Sequence, residues 1–166
     1  MKDDQLINKK FHILQRNKIL RDSEKFIYNE IANRINDNLE GINLSVSKCL
    51  EIGFSSNKIH KYIIKKSTNI EYSLVDISKN LLNSISPSIK IHCIDHDKWN
   101  LNENHYDLII SNFFLHLTNN FNKLLFNINS SLKNQGFFIA SIPSHNCFLE
   151  LKNTMLLTDT EIYGGA

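Results

Sequence analysis

Lys48-Cys49-Leu50-Glu51-Ile52-Gly53, continued by Phe54-Ser55-Ser56, is a short apolar run that ends on an acid and a glycine. A helix-like run opens on the serines, and a second apolar run, Tyr72-Ser73-Leu74-Val75, then ends in Asp76. Strand, turn, helix, strand and terminal carboxylate is the sequence form of a nucleotide-binding βαβ unit. In such a unit the turn lets backbone approach the ligand, and the carboxylate accepts from both ribose hydroxyls. This turn is poor in glycine: Gly53 stands alone, with Phe54, Ser55 and Ser56 where further glycines belong. Glycine reaches left-handed angles cheaply and leaves room for a ligand, whereas a side chain held there costs about 1–2 kcal/mol. Phe54 is therefore expected to be strained and to occupy ligand space, and Phe54→Gly to open the turn. Ser55 or Ser56 can cap the following helix. Taken alone, the stretch reads equally well as a bare strand-to-helix junction and as a cofactor site.

The rest of the chain repeats this alternation. Phe11 to Leu20 mixes basic and apolar residues as a short helix would, and a better helix runs from Ser23 through Phe26, Ile27, Ile31, Ile35 and Leu39 to Gly41. Strands are expected at Ser47–Ile52, Glu71–Val75, Ile89–Ile94, Tyr106–Asn112 and Phe137–Ile142. Helices are expected at Ser56–Lys66, from Ser78 through Leu82, at Phe121–Leu132 and at Asn146–Leu157. Pro87 marks the loop before the third strand, Asn134-Gln135-Gly136 the turn into the fifth, and Pro143 its end. Alternating strands and helices with short loops predict a doubly wound, mostly parallel α/β sheet, Rossmann-like in topology. Residues 1–45 are read as an N-terminal helical segment packing on the sheet, and 46–166 as the α/β core of the same domain.

In such sheets ligands lie over the carboxyl ends of the strands. That rule gathers Glu51, Gly53, Asp76, Asp95 and Asn112 at one rim. Each has a plain structural reading, since an acid can cap a helix and an asparagine can fill a turn. Polar ends on successive strands make a shared site the better account of the set. Asp95-His96-Asp97 is a tempting metal cluster, but neighbours at a strand end are expected to point apart, so no metal site is assigned. His116, beside Phe113, Phe114 and Leu115, reads more readily as a packed helix-start residue than as one facing substrate, and Trp99 as cover over a pocket.

Composition narrows the function classes. The chain has 166 residues, 42% of them hydrophobic, which suits one domain with a real core. Its 19 basic and 17 acidic residues are spread evenly, giving a formal charge of +2 with no run that suggests nucleic acid or a membrane surface. Cys49, Cys93 and Cys147 lack metal spacing and read as reduced core residues of a cytoplasmic protein. No apolar run is long enough for a membrane helix, and no stretch reads as a signal peptide.

Three further stretches are more specific: Tyr106-Asp107-Leu108-Ile109-Ile110-Ser111-Asn112, Leu115-His116-Leu117-Thr118-Asn119, and Leu132-Lys133-Asn134-Gln135-Gly136-Phe137-Phe138. With them the chain, from about Phe11 onward, resembles the class I S-adenosylmethionine-dependent methyltransferases. Within that class it is similar to the branch of the mitochondrial complex I assembly factor and the biotin-pathway malonyl-carrier O-methyltransferase. The tail Leu149-Glu150-Leu151, Leu157-Thr158-Asp159-Thr160-Glu161 and Gly164-Gly165 leans to the assembly-factor side, although Leu117 stands where the family has Trp.

The resemblance implies S-adenosylmethionine as cofactor. Glu51 would hold the methionine ammonium through water, Gly53 would pass beneath the cofactor, and Asp76 would grip the ribose. Asp95 would accept from the adenine amine, and backbone near Asn112 would face the methionine. The catalytic residues stay unknown. The glycine-poor turn implies weak binding, and family members continue past the point where this chain ends, so a degenerate or truncated methyltransferase-like protein related to complex I assembly is the leading expectation. The alternatives are a carboxylate O-methyltransferase of biotin synthesis, for which Lys9–Arg21 is the candidate carrier-docking segment, and a non-catalytic assembly or binding module. The partner is an unidentified protein. Because the fifth strand lacks the cover it has in complete members, its edge is expected to invite self-association.

Overall fold

The computed structural model describes residues 6–18, 25–43, 45–66, 69–82, 85, 89–98 and 100–164. Trp99, Pro87 and the expected helix start at Ser23 lie outside them. In chain order the elements are α1 (Lys9–Lys18), α2 (Phe26–Glu40), β1 (Lys48–Ile52), α3 (Asn57–Lys66), β2 (Glu71–Asp76), α4 (Lys79–Leu82) and β3 (Lys90–Cys93). There follow β4 (Tyr106–Asn112), a short 3-10 turn at Leu115–Leu117, α5 (Phe121–Ser131), β5 (Leu132–Ser141) and α6 (Leu149–Tyr163). The strands form one sheet in the order β3-β2-β1-β4-β5, and every pairing is parallel. The chain steps outward from β1 to β3, then returns beside β1 with β4. That reversal places the topological switch point between β1 and β4, where ligands bind in sheets of this kind.

Both faces of the sheet are covered, which is why the central strands are apolar for most of their length, with Glu51 the exception inside β1. Cys49, Leu74, Leu108 and Ile110 face Ala32, Ile35 and Leu39 of α2 and Ile59 and Ile63 of α3. Leu50, Ile52, Val75 and Ile109 face the opposite way, toward Leu124 and Ile128 of α5. Each fully buried aliphatic side chain here contributes about 1.5–3 kcal/mol. Ser56 caps α3, its Oγ accepting from Lys58 N at 3.2 Å, and Ser78 caps α4, its Oγ accepting from Leu81 N at 3.1 Å.

At the amino end of the sheet Asp107 joins three segments. Its Oδ2 accepts from Ser47 N at 3.0 Å, Ser47 Oγ at 2.6 Å and Lys48 N at 2.8 Å, and its Oδ1 from Lys133 Nζ at 2.8 Å. Partial burial favours its proton, but these donors hold the carboxyl well below the usual carboxylate range. The acid in the Tyr106-Asp107 stretch therefore locks β1 to β4, far from the candidate site.

Several expected boundaries move. Strand five begins at Leu132 rather than Phe137, directly after α5. Tyr106 faces Leu132 and Leu108 faces Phe137, so residues 133–136 bulge out of the ladder. Gln135 takes a left-handed φ of 66° there, and a Cβ on Gly136 would meet Lys133 O at 2.9 Å. The last helix runs from Leu149 to Tyr163, past the expected end, and closes on Gly164 in the left-handed region at φ 75°. Leu149, Leu151, Met155, Leu156, Leu157 and Ile162 on it are all exposed, and β5 pairs with β4 alone among the described residues. Only Cys49 is a core cysteine; Cys93 and Cys147 are exposed, because β3 is a sheet edge and Cys147 precedes the uncovered α6. No helix among the described residues is long and apolar enough to cross a membrane.

Candidate cofactor site

The turn after β1 carries its strain in a place that the sequence does not suggest. Gly53 has a φ of 79° and donates to Val75 O at 2.8 Å, so it alone adopts left-handed geometry in that turn. Phe54 is not strained and not in the groove: it is buried in the core on the α2–α3 face. The ring near Gly53 is Phe114, whose Cγ would lie 2.1 Å from a Cβ added to the glycine. Phe114 is brought there by Phe113, which sits at φ 53° just beyond β4. A bulky residue at such an angle costs about 1–2 kcal/mol. Phe113 N is held in place by Ser141 O at 3.1 Å and Ser141 Oγ at 2.9 Å.

Asp76, at the carboxyl end of β2, is fully enclosed. Its Oδ2 accepts from Phe54 N at 3.0 Å and its Oδ1 from Ser78 N at 2.9 Å. Arg16 of α1 completes the set: Nε donates to Oδ1 at 3.5 Å, and Nη2 pairs with Oδ2 and also donates to Phe54 O. The guanidinium is 2% exposed and its carbon stands 4.9 Å from the centroid of Phe114. Removing one partner of a buried pair of this kind costs about 3–5 kcal/mol, because the other charge is left uncompensated.

Glu51 lies beneath the rim with no exposed surface. Tyr72 Oη donates to its Oε2 at 2.6 Å, while Oε1 has no partner in the structure. Burial pushes its carboxyl up to about 8, against the hydrogen bond from Tyr72, so the side chain is protonated at neutral pH. Asn112 is equally occupied, with Nδ2 donating to Tyr28 O at 3.0 Å and Oδ1 accepting from Ser141 Oγ at 3.3 Å.

The loop after β3 departs from its expected reading. The ligand atoms of Asp95, His96 and Asp97 do not point apart but lie within 4.8 Å of one another, because the chain leaves the strand in a turn at His96. Lys9 of α1 pairs with both carboxylates, at 2.9 Å from Asp95 Oδ1 and closer still to Asp97. Asp97 also accepts from Thr118 Oγ1 and from Asn119 N at 3.1 Å. Burial opposes ionisation of Asp97, but these donors hold it far below its ordinary value. An ammonium group already occupies the space that a cation would need.

Next to this rim an open cavity of about 800 Å³ is lined by Leu6, Phe11, His12, Arg16, Tyr28 and Leu117 among others. His12 is buried and neither ring nitrogen has a hydrogen-bond partner in the structure. Burial and the nearby His96 lower its pKa to about 4, so it is neutral near pH 7. His116, expected to be packed, is exposed with its ring edge-on to Phe113 at 5.0 Å.

The structure thus brings Glu51, Gly53, Asp76, Asp95 and Asn112 to one end of the sheet. It adds Arg16, His12 and Phe114, which the sequence reading leaves out. Two signals point to them. Arg16 follows His12 at helical spacing on a mixed helix, and paired phenylalanines directly follow a strand that ends at the switch point.

A five-stranded parallel sheet in this order, with an acid ending β2 and a glycine ending β1, defines the class: a Rossmann-like methyltransferase fold. Comparison with known proteins agrees. Residues 50–138 match the methyltransferase domain family, and the chain belongs to that family. An arginine-hydroxylase NDUFAF5, mitochondrial, of Dictyostelium discoideum is 28% identical over 160 residues, covering 84% of this chain and 37% of the relative. The Homo sapiens protein of the same name is 29% identical over 144 residues, covering 84% of this chain and 41% of its own length. The chain therefore spans about two fifths of these relatives.

Among solved structures, a SAM-dependent methyltransferase of Leishmania major superposes with a TM-score of 0.64 at 14% identity, over 87% of this chain and 65% of that one. The plantazolicin methyltransferase BpumL, solved with SAH and a triazolic substrate analogue, gives 0.60 at 15% identity, over 92% and 69%. These likenesses show the fold. An adenosyl cofactor would have to displace contacts already made here: the oxygens of Asp76 are bonded internally, and Phe114 lies against Gly53.

Proposed function

We propose that this chain is a methyltransferase-like domain of the complex I assembly-factor kind that binds S-adenosylmethionine weakly. The observation that carries the reading is Asp76, an acid ending β2 beside the left-handed Gly53 at the switch point of a parallel sheet. The proposed contacts are Glu51, Gly53, Asp76, Asp95 and Asn112, with Asp76 as ribose acceptor. A charged acceptor contributes about 1.5–3 kcal/mol per hydrogen bond, so Asp76 dominates whatever affinity there is. Arginine hydroxylation, the activity in the relatives' names, and the acceptor of any methyl group belong to this proposal only as activities of the longer proteins.

Calorimetric titration of the 166-residue chain with S-adenosylmethionine and S-adenosylhomocysteine tests it. Weak saturable binding is expected, lost in Asp76→Asn with the fold intact by circular dichroism. No heat at millimolar ligand, or full affinity in the variant, would overturn it. Cytoplasmic residence is part of the proposal, motivated by three unpaired cysteines, two of them exposed. Since the relatives' names carry "mitochondrial", imaging of a tagged full-length protein decides between the two compartments. Self-association through the β5 edge, which α6 leaves uncovered, is proposed as well.

A further inference from the structure

α1 is fastened to the domain in an unusual way. Its buried residues are His12 and Arg16, while Phe11 and Leu14 are largely exposed. The polar fastenings run to the rim: Arg16 to Asp76 and Phe54 O, and Lys9 to Asp95 and Asp97. A helix that packed for stability alone would bury an apolar stripe.

A carboxylate offers about four acceptor sites, two on each oxygen. On Asp76 the donors Phe54 N, Ser78 N, Arg16 Nε and Arg16 Nη2 fill them. Both backbone donors are fixed by the turns after β1 and β2. The arginine comes from a separate helix, α1.

We infer that α1 is an intramolecular latch, in which the Arg16 guanidinium takes the place of a ribose diol on Asp76 and must withdraw before a nucleoside ligand binds. The inference rests on the reading of Asp76 as ribose acceptor. A diol and the guanidinium both donate hydrogen bonds to the same oxygens, so their occupancies exclude each other. Arg16 also lines the open cavity of about 800 Å³, which gives its side chain somewhere to go without unfolding of the sheet. Phe114 extends the same closure, since its ring lies against both the guanidinium and Gly53. Apparent affinity is then set by the fraction of molecules that are unlatched, which gives the weak binding proposed above a cause other than the turn after β1.

The test is calorimetric titration of S-adenosylhomocysteine into the wild-type chain, Arg16→Ala and Arg16→Lys, with hydrogen exchange of residues 9–18 in the wild type. Both variants are expected to bind more tightly, by about tenfold or more, and saturating ligand to speed exchange in α1. Arg16→Lys keeps a cation near Asp76 but has no Nε to donate to Oδ1, so it decides the matter if Arg16→Ala does not fold. Wild-type binding with equal or weaker binding by the variants, or unchanged exchange in α1, would overturn the latch and leave the cofactor reading standing. Absence of binding by all three proteins would overturn both.

Discussion

Glu51 makes the pH dependence of stability a direct probe of the buried rim. Its carboxyl is raised by burial from 4.5 to about 8 in the folded chain. The folded state therefore keeps a proton that the unfolded state gives up near pH 4.5, and stability falls as pH rises between those two values. Each pH unit in that window removes about 1.4 kcal/mol, to a total of about 5 kcal/mol by the upper end. Glu51→Gln abolishes the titration while its amide oxygen can still accept from Tyr72. The new amide protons lack an acceptor where Oε1 already had none, a cost that does not vary with pH. His12 acts with the opposite sign: its folded pKa of about 4 lies below the ordinary 6.5, so its contribution is present above 6.5 and lost as pH falls toward 4. Because His12 is present in both proteins, it cancels in the difference between them. Urea unfolding of both proteins at about pH 6, 7 and 8 should show the advantage of the variant growing by about 1–1.4 kcal/mol per unit. Parallel stability curves would refute the argument and mean that Glu51 is ionised in its pocket.

Phe54→Gly is expected to destabilise the chain by about 4–5 kcal/mol, since it empties a core position, and to leave S-adenosylhomocysteine affinity no better; tighter binding would restore Phe54 to the groove. The free edge of β5 should bring the chain together as concentration rises. Light scattering over a dilution series checks this, and a monomer throughout with β5 amides strongly protected from exchange would sink it.

The central strands were legible because a strand buried on both faces must be apolar along its whole length. Cys49 to Ile52, apart from Glu51, and Leu108 to Ile110 meet that requirement. Strand five was less so, because the bulge at 133–136 puts unpaired polar residues within the strand and a left-handed angle on Gln135 rather than on the adjacent glycine. The rim acids could be read from their positions at strand ends. Their partners could not, since a buried arginine is uncommon and nothing local ties Arg16 to an acid sixty residues away. The glycine-poor turn pointed to Phe54 as the obstacle by adjacency. The ring that fills the space arrives instead from the far side of the sheet, aimed by the strained angle at Phe113.

The placement of Asp107 bears on how the chain reaches this structure at all. The strands assemble as two groups, β1 to β3 and β4 to β5, each built from neighbours in sequence, and they join along the single seam between β1 and β4. Closing that seam brings together segments about sixty residues apart, and such non-local pairing is the slow part of folding. Asp107 gathers Ser47 and Lys48 at the start of the seam and so fixes its alignment in the folded chain. Until the seam closes, β1 and β4 each keep one open edge of largely apolar strand, and exposed edges of this kind favour aggregation. A carboxylate remote from every candidate ligand contact thus ties together the one seam whose strands are not neighbours in sequence.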